Sequence, residues 1–236
     1  MTKVHVLAVG DFGTAVADRL FLERRDIAVT SDVKSSLEFS SVWPEAQVRI
    51  LASWRETPRL AELLDARSAD WGTTWFPVVA EHPRLRIGPV VVPGEGACYR
   101  CFRQRRSQHE RDSSHTATLH AHYDASPAAG TAGFLPHHVD MAAGMALDVL
   151  RRVEAGETEH LAGNVRHWHV LEQHVTGARV VGVHGCDRCR PRPVDPTSAT
   201  WEQLARDLAP WPVLAGEAAS SSSSGPTAAP SISAHQ

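Results

Sequence analysis

The chain lacks several features that would place it quickly in one class of protein. No apolar run approaches the roughly 20 residues that a bilayer-spanning helix needs, so we expect a soluble protein that is not membrane-bound. Positive charge is not in excess, because 24 Lys and Arg stand against 27 Asp and Glu and the pI is near 6.5. This balance argues against a general nucleic-acid binder. The motifs GxxxxGK(S/T) and HExxH are absent, and with them the common phosphate loop and helical metal-binding pair.

Cysteine is scarce, and all four cysteines fall into two pairs with the same spacing. The pairs are Cys98 with Cys101 and Cys186 with Cys189, each after an apolar, β-rich run. Two intervening residues let a tight turn aim both sulfur atoms at one ion, and two such turns make the tetrahedral thiolate shell of structural zinc. Two disulfides or four free thiols are the alternatives. No secretory signal precedes the first strand, so we expect the reducing cytoplasm, where disulfides are rare. We therefore predict a zinc ion that clamps two distant segments of one fold.

Strand and helix patterns alternate through residue 92. Apolar runs predict strands at 4–9, 27–30, 48–52 and 75–80, with helices after the glycine turn at 10–15 and at 57–66. This alternation predicts an α/β fold built on a Rossmann-related sheet. The chain length and its 42% hydrophobic content suffice for one substantial core. We expect one domain over 1–212 and a disordered tail rich in Ser, Ala and Pro over 213–236.

The glycine turn at 10–15 departs from a nucleotide-binding loop. Where GxGxxG has its second glycine, the chain has Phe12, whose side chain we expect in the path of a phosphate group. The third glycine is replaced by Ala15, which such loops tolerate. A fold element without a ligand is the favoured interpretation, and a divergent nucleotide loop is the alternative.

Three later segments complete the pattern. A polar, histidine-rich stretch at 107–133 predicts an exposed loop, with a metal site at His115, His120 and His122 as the less favoured alternative. Apolar periodicity predicts a helix at 139–153, where Gly144 and neighbouring alanines would allow close packing against the sheet or against a second copy in a homodimer. Strands at 165–170 and 179–183 are predicted to pair as a hairpin before the second cysteine pair.

Several sequence blocks carry a family resemblance. These are Gly-Pro-Val-Val-Val-Pro-Gly and Cys-Tyr-Arg-Cys, then Arg-Gln-Arg-Arg-Ser-Gln-His, and finally Val-Val-Gly-Val-His-Gly-Cys-Asp-Arg-Cys-Arg-Pro. Over roughly residues 45–192 the chain resembles the Ocin-ThiF-like proteins of ribosomal peptide natural product (RiPP) clusters. That family is related to the ThiF/MoeB adenylating enzymes and typically serves as the non-catalytic partner of a YcaO cyclodehydratase or another tailoring enzyme.

The resemblance implies a reduced ThiF-like sheet, structural zinc on the four cysteines, and delivery of a precursor peptide, through its leader, to the tailoring enzyme. The modified product would be of the thiazole or oxazole, thiopeptide or lanthipeptide type. A basic run at Arg100, Arg103, Arg105 and Arg106 could meet an acidic leader or partner enzyme, or could be a solvated face beside the zinc. We favour a scaffold without catalytic residues. The alternative is an adenylating enzyme that activates a carboxylate with ATP, using residues 10–15 and Asp32.

Overall fold

The computed structural model describes residues 3–31, 37–110, 112–126, 133–190, 201–202 and 204–206. The chain divides into two compact units, Met1–Val194 and Asp195–Gln236. In the second unit, the described residues 201–202 and 204–206 are helical. The predicted domain boundary at 212, the tail at 213–236 and Asp32 lie outside the described residues.

A seven-stranded sheet forms the centre of the first unit, in the order β2-β1-β3-β4-β5-β6-β7. The strands are β1 (Val4–Val9), β2 (Ile27–Ser31), β3 (Val48–Ser53), β4 (Thr74–Glu81), β5 (Arg84–Ile87), β6 (Asn164–His169) and β7 (His174–Arg179). The first four strands in the chain pair in parallel, whereas β5, β6 and β7 continue the sheet in antiparallel register. The predicted α/β fold is confirmed.

Helices cover both faces of this sheet. They are α1 (Gly10–Glu23), α2 (Pro58–Trp71), α3 (Tyr99–Ser107), α4 (Ser113–Ala125), α5 (Pro136–Glu154) and α6 (Thr158–Leu161). Strand residues alternate between faces, so Val6 packs in the core with α1 and α5, and Leu7 packs in a second core with α2 and α3. None of the described helices is long and apolar enough to span a bilayer.

Helix α1 lies unusually close to the sheet. A Cβ atom added at Gly13 would lie 2.4 Å from the backbone oxygen of Ala52 on β3. Only glycine permits this approach of helix to strand, which is the role of one glycine in dinucleotide-binding folds. The glycine turn thus retains a packing function that does not depend on a bound nucleotide.

The predicted loop at 107–133 is wrong over much of its length. Residues Ser113–Ala125 form helix α4, whose start is capped by Asp112 through a 3.0 Å bond from the amide of His115 to its carboxylate. None of the residues in α4 is buried, so the helix has no apolar period by which the sequence could reveal it.

The predicted hairpin and the predicted role of Gly144 also need correction. Strand β7 occupies His174–Arg179 instead of 179–183. The chain leaves the sheet after Arg179, and the amide of Val183 donates to the sulfur of Cys101 instead of a ladder partner. Gly144 lies on the exposed side of α5, where an added Cβ atom would meet nothing within 4 Å, so it does not supply close packing against the sheet.

Candidate functional site

The first cysteine pair is positioned by the start of α3. Cys98 is the residue that precedes the helix, and Cys101 lies in its first turn. The carboxylate of Asp65, on α2, accepts hydrogen bonds from the amide of Tyr99 at 3.2 Å and from the indole of Trp75 at 3.3 Å. Burial raises the pKa of Asp65, and these two donors oppose the rise. An acidic group from α2 therefore fixes the helix end that carries both sulfur atoms.

The second cysteine pair lies in a turn after β7. The amide of Cys186 donates to the carbonyl of Val183 at 3.3 Å, and the amide of Arg190 donates to the carbonyl of Cys186 at 2.7 Å. The amide of Val183 in turn lies 3.2 Å from the sulfur of Cys101. An amide that donates to a sulfur atom is the usual support of a metal-bound thiolate.

The four sulfur atoms converge. Their separations are 3.8 Å for Cys98 and Cys101, 3.7 Å for Cys98 and Cys186, and 3.5 Å for Cys101 and Cys189, and all four lie within 4.8 Å of one another. A tetrahedral zinc ion with Zn–S bonds of about 2.3 Å requires sulfur atoms about 3.8 Å apart. None of the four cysteines forms a disulfide in this structure, in contrast to the alternative of two disulfides. The cluster has the size and composition of a four-thiolate metal site.

The four sulfur atoms also influence one another's protonation. Hydrogen bonds from Cys189 and Cys98 lower the pKa of Cys101, and the same contact with Cys101 raises the pKa of Cys98. Three of the four residues are buried. Four neighbouring thiolates would repel one another without a divalent ion among them, and the cluster is compatible with a metal site of that kind.

Each arginine of the basic run has a partner within the chain. Arg103 pairs with Glu62 on α2, and Arg106 pairs with Glu81 at 2.5 Å and Glu110 at 3.4 Å. The charge of Arg106 is thus largely balanced inside the protein.

The other two arginines lie beside the second cysteine pair. Arg105 donates to the carbonyls of Val181 and Gly182 at 3.3 and 3.4 Å, so it ties α3 to the chain that leads to Cys186. Arg100 pairs with Asp187 at 3.3 Å, in a contact where the Arg100 side chain is half-exposed and the Asp187 side chain is largely exposed. Arg100 is the most exposed of the four arginines.

A buried ionic cluster lies next to α3, and the sequence analysis missed it. Arg86, on β5, is fully buried and pairs with Glu56 and with Glu81, the latter at 2.8 Å. The hydroxyl of Tyr99 donates to Glu56 at 2.5 Å. Burial alone would raise the pKa of Glu81, but Arg86 and Arg106 outweigh it and hold that pKa below the ordinary value. The cluster ties β4 and β5 to the helix that carries Cys98 and Cys101.

A cleft opens where β3 and β4 end. Its volume is about 880 Å³, and its lining includes Trp54 and Arg55 after β3, Glu81 at the end of β4, His167 on β6 and Tyr123 on α4. The guanidinium of Arg55 stacks 4.0 Å from the centre of the Tyr123 ring. Burial lowers the pKa of His167 to about 4, so this imidazole is neutral at pH 7. Open α/β sheets bind ligands at the carboxyl ends of their strands, so this cleft is the candidate ligand site.

Two further sequence expectations concern the glycine turn and the histidines. Phe12 lies in the apolar core and packs edge-on against Phe134, with ring centres 5.4 Å apart. Within the described part of the chain, His115, His120 and His122 belong to no group of three ligand-type side chains.

No protein-family model and no curated protein matches this chain. Solved structures do match in fold. The heterocyclase TruD superposes with a TM-score of 0.56 at 18% sequence identity, over 79% of this chain and 27% of TruD. MccB of E. coli superposes with a TM-score of 0.57 at 13% identity, over 82% of this chain and 66% of MccB. MccB with ATP gives a TM-score of 0.54 at 14% identity, over 80% of this chain and 67% of MccB. The chain thus spans about a quarter of TruD and about two thirds of MccB, and it shares the fold of both.

Proposed function

We propose that this chain is a non-catalytic partner protein in RiPP biosynthesis, which brings a precursor peptide to a YcaO cyclodehydratase or another tailoring enzyme. The observation that carries the proposal is the fold shared with TruD, a heterocyclase, over 79% of this chain but only 27% of TruD. MccB has also been solved with the peptide MccA, with a TM-score of 0.56, which supports peptide binding on this fold.

The metal in this proposal is a structural zinc on Cys98, Cys101, Cys186 and Cys189. Four thiolates leave no open coordination position, so the ion would organise the fold without entering a reaction. It would lock α3 against the chain that follows β7. Reduced thiols require a reducing compartment, and we place the protein in the cytoplasm for that reason.

The cleft at the ends of β3 and β4 is the proposed place for part of the peptide. Arg55, Tyr123 and Trp54 give it aromatic and cationic groups in one depression. The basic run is proposed as a rim that meets acidic residues of the leader or partner. All four arginines have contacts within the chain, but the partner of Arg100, Asp187, is the most exposed, so Arg100 is the arginine that could change partners at least cost. A homodimer, through α5 or another face, is part of the same proposal.

Reconstitution tests the proposed function directly. The precursor peptide and its tailoring enzyme are incubated with and without the zinc-loaded protein, and peptide mass is followed over time. We expect modification to be accelerated by the protein, and the peptide to co-purify with it. Unchanged modification rates together with no peptide binding would exclude the delivery role.

Adenylation of a carboxylate is the second candidate, because MccB of the same fold has been solved with ATP. The chain departs from a nucleotide loop at Phe12, whose ring is committed to the core with Phe134. We expect millimolar ATP with magnesium to give no shift of the melting temperature. ATP-dependent pyrophosphate exchange that requires a peptide carboxylate would favour the enzyme over the scaffold.

A further inference from the structure

Outside the cysteine centre, a second cluster of metal-ligand side chains lies on the hairpin of β6 and β7. His169 ends β6, Glu172 lies in the turn, and His174 begins β7. One ligand atom from each residue lies within 4.8 Å of the other two. The cluster belongs to the last hairpin before the second cysteine pair.

The antiparallel register creates this cluster. His169 and His174 are direct cross-strand partners, and their rings stack with centres 4.4 Å apart and planes 8° from parallel. The carboxylate of Glu172 lies 3.8 Å from Nδ1 of His169 and 3.3 Å from Nδ1 of His174. Two imidazole rings and one carboxylate therefore lie together at the end of the hairpin, and binding of one ion by both rings requires their parallel planes to rotate toward each other.

The second nitrogen of His169 is also held. Its Nε2 atom lies 3.1 Å from the hydroxyl oxygen of Thr176, the next residue on the same face of β7. In the tautomer with its proton on Nε2, the ring donates to this hydroxyl and leaves the Nδ1 lone pair for a metal ion. Metal-binding histidines are usually oriented by such a hydrogen bond from the other ring nitrogen.

A basic residue on the neighbouring strand limits the expected affinity. Arg84 is the cross-strand partner of His169 on β5. Its positive charge predicts a modest affinity for a cation at this hairpin.

We propose that His169, Glu172 and His174 bind a divalent transition ion of the Zn²⁺, Co²⁺ or Ni²⁺ class. Imidazole nitrogen and carboxylate oxygen are the ligands that such ions accept. Three protein ligands leave a coordination position for water or for a donor from a partner. The ion cross-links β6 to β7, an edge strand whose six residues are all exposed, and so fixes the hairpin beside the chain that reaches Cys186.

Cobalt titration separates this site from the cysteine centre. The full-length protein is first loaded with one equivalent of zinc, and Co²⁺ is then added while absorbance and bound metal are measured. Thiolate-bound cobalt gives charge-transfer bands in the near ultraviolet, which a site of two imidazoles and a carboxylate lacks. We expect one additional equivalent of Co²⁺ without those bands.

Variants then assign the additional equivalent. His174→Gln and Glu172→Gln should each weaken Co²⁺ binding at least tenfold, and Thr176→Val should weaken it about tenfold by releasing the orientation of His169. His160→Gln, at an exposed histidine of α6, should leave it unchanged. Glu172 is in an exposed turn, so its variant remains informative if His174→Gln fails to fold. Absence of the additional equivalent, or its retention in Glu172→Gln, would overturn the proposal.

Discussion

At the residue scale, the sulfur atoms of the cysteine centre connect two segments that are far apart in the sequence. Cys98 and Cys101 lie on α3, whereas Cys186 and Cys189 lie in a turn without regular structure. Bound zinc supplies folding free energy on the order of 10 kcal/mol in small domains. In this protein, the same free energy would hold the turn after β7 in place.

Replacement of one sulfur ligand tests this role. Cys98→Ser should reduce zinc content well below one ion per chain by elemental analysis, because three thiolates form an incomplete shell. Its midpoint of chemical unfolding should fall as well. Asp187→Asn changes an exposed residue in the turn that holds Cys186 and Cys189, and it should leave the zinc content and the midpoint of unfolding unchanged. A folded wild type without zinc would contradict the prediction.

The partly buried carboxylate of Glu81 gives a prediction for pH. Its pKa lies below the ordinary value of 4.5 because Arg86 and Arg106 outweigh the effect of burial. The carboxylate therefore stabilises the fold above pH 4.5, and this contribution is lost as the pH falls through that value toward the folded-state pKa. Glu81→Gln should lower the free energy of unfolding at pH 7 by about 3 kcal/mol, since it leaves Glu56 as the remaining acidic partner of Arg86.

Urea unfolding between pH 3 and pH 7 measures this effect. The wild type should lose stability steeply at the acidic end, and Glu81→Gln should lose less. Glu159→Gln, at an exposed position, serves as the control and should follow the wild type. If the free energy of unfolding depends on pH equally in Glu81→Gln and in the wild type, Glu81 does not contribute to the ionic cluster as proposed.

At the scale of secondary-structure elements, the contact of α1 with β3 depends on the absence of one side chain. Gly13→Ala should destabilise the protein by roughly 2 kcal/mol or more, because the added Cβ meets the backbone oxygen of Ala52. Gly144→Ala is the matched change in α5, where the space is open, and it should stabilise by roughly 0.5–1 kcal/mol. Thermal unfolding of both variants compares them. If Gly13→Ala leaves the stability unchanged, α1 can move away from the sheet without loss of free energy of unfolding.

Elements were predictable from sequence where burial imposes an apolar pattern. The strands at 4–9 and 48–52 were found because they are apolar runs buried on both faces, and helix α5 was found because its apolar residues repeat on one side. Helix α4 was not, because it buries no side chain. In β5 the alternation of Arg and Leu suggests a solvated face, yet Phe102 stacks 4.7 Å from the guanidinium of Arg86, and that face is covered.

The candidate site was likewise predictable only in part. The cysteine centre was predictable because spacing within each pair fixes its local geometry. The cleft was not, since its lining comes from separate strand ends and from the unpredicted helix α4. The pairing of Arg106 with Glu81 depends on the sheet register, which sequence spacing does not encode.

At the scale of the whole molecule, the net charge of −3 leaves little long-range attraction for an acidic partner. Local charge must then provide it, and most arginines of the basic run are balanced internally. Arg100 is the most exposed of them. Its ion pair with Asp187 lies at the surface and contributes about 0–1 kcal/mol. A charge held so weakly can be redirected to an incoming carboxylate.

Reversal of this charge tests the proposed rim. Arg100→Glu should weaken binding of the precursor peptide or tailoring enzyme by about tenfold at low salt and reduce its salt dependence, because rim charges govern encounter and screening. Arg151→Glu is the matched control, since Arg151 is an exposed arginine with a similarly weak partner, Asp148 at 3.9 Å on α5. Zinc content must be equal in both variants, because Arg100 lies between Cys98 and Cys101. If both variants bind as the wild type does at every salt concentration, α3 is a solvated face and the contact lies elsewhere. If only Arg151→Glu weakens binding, the partner surface is on α5.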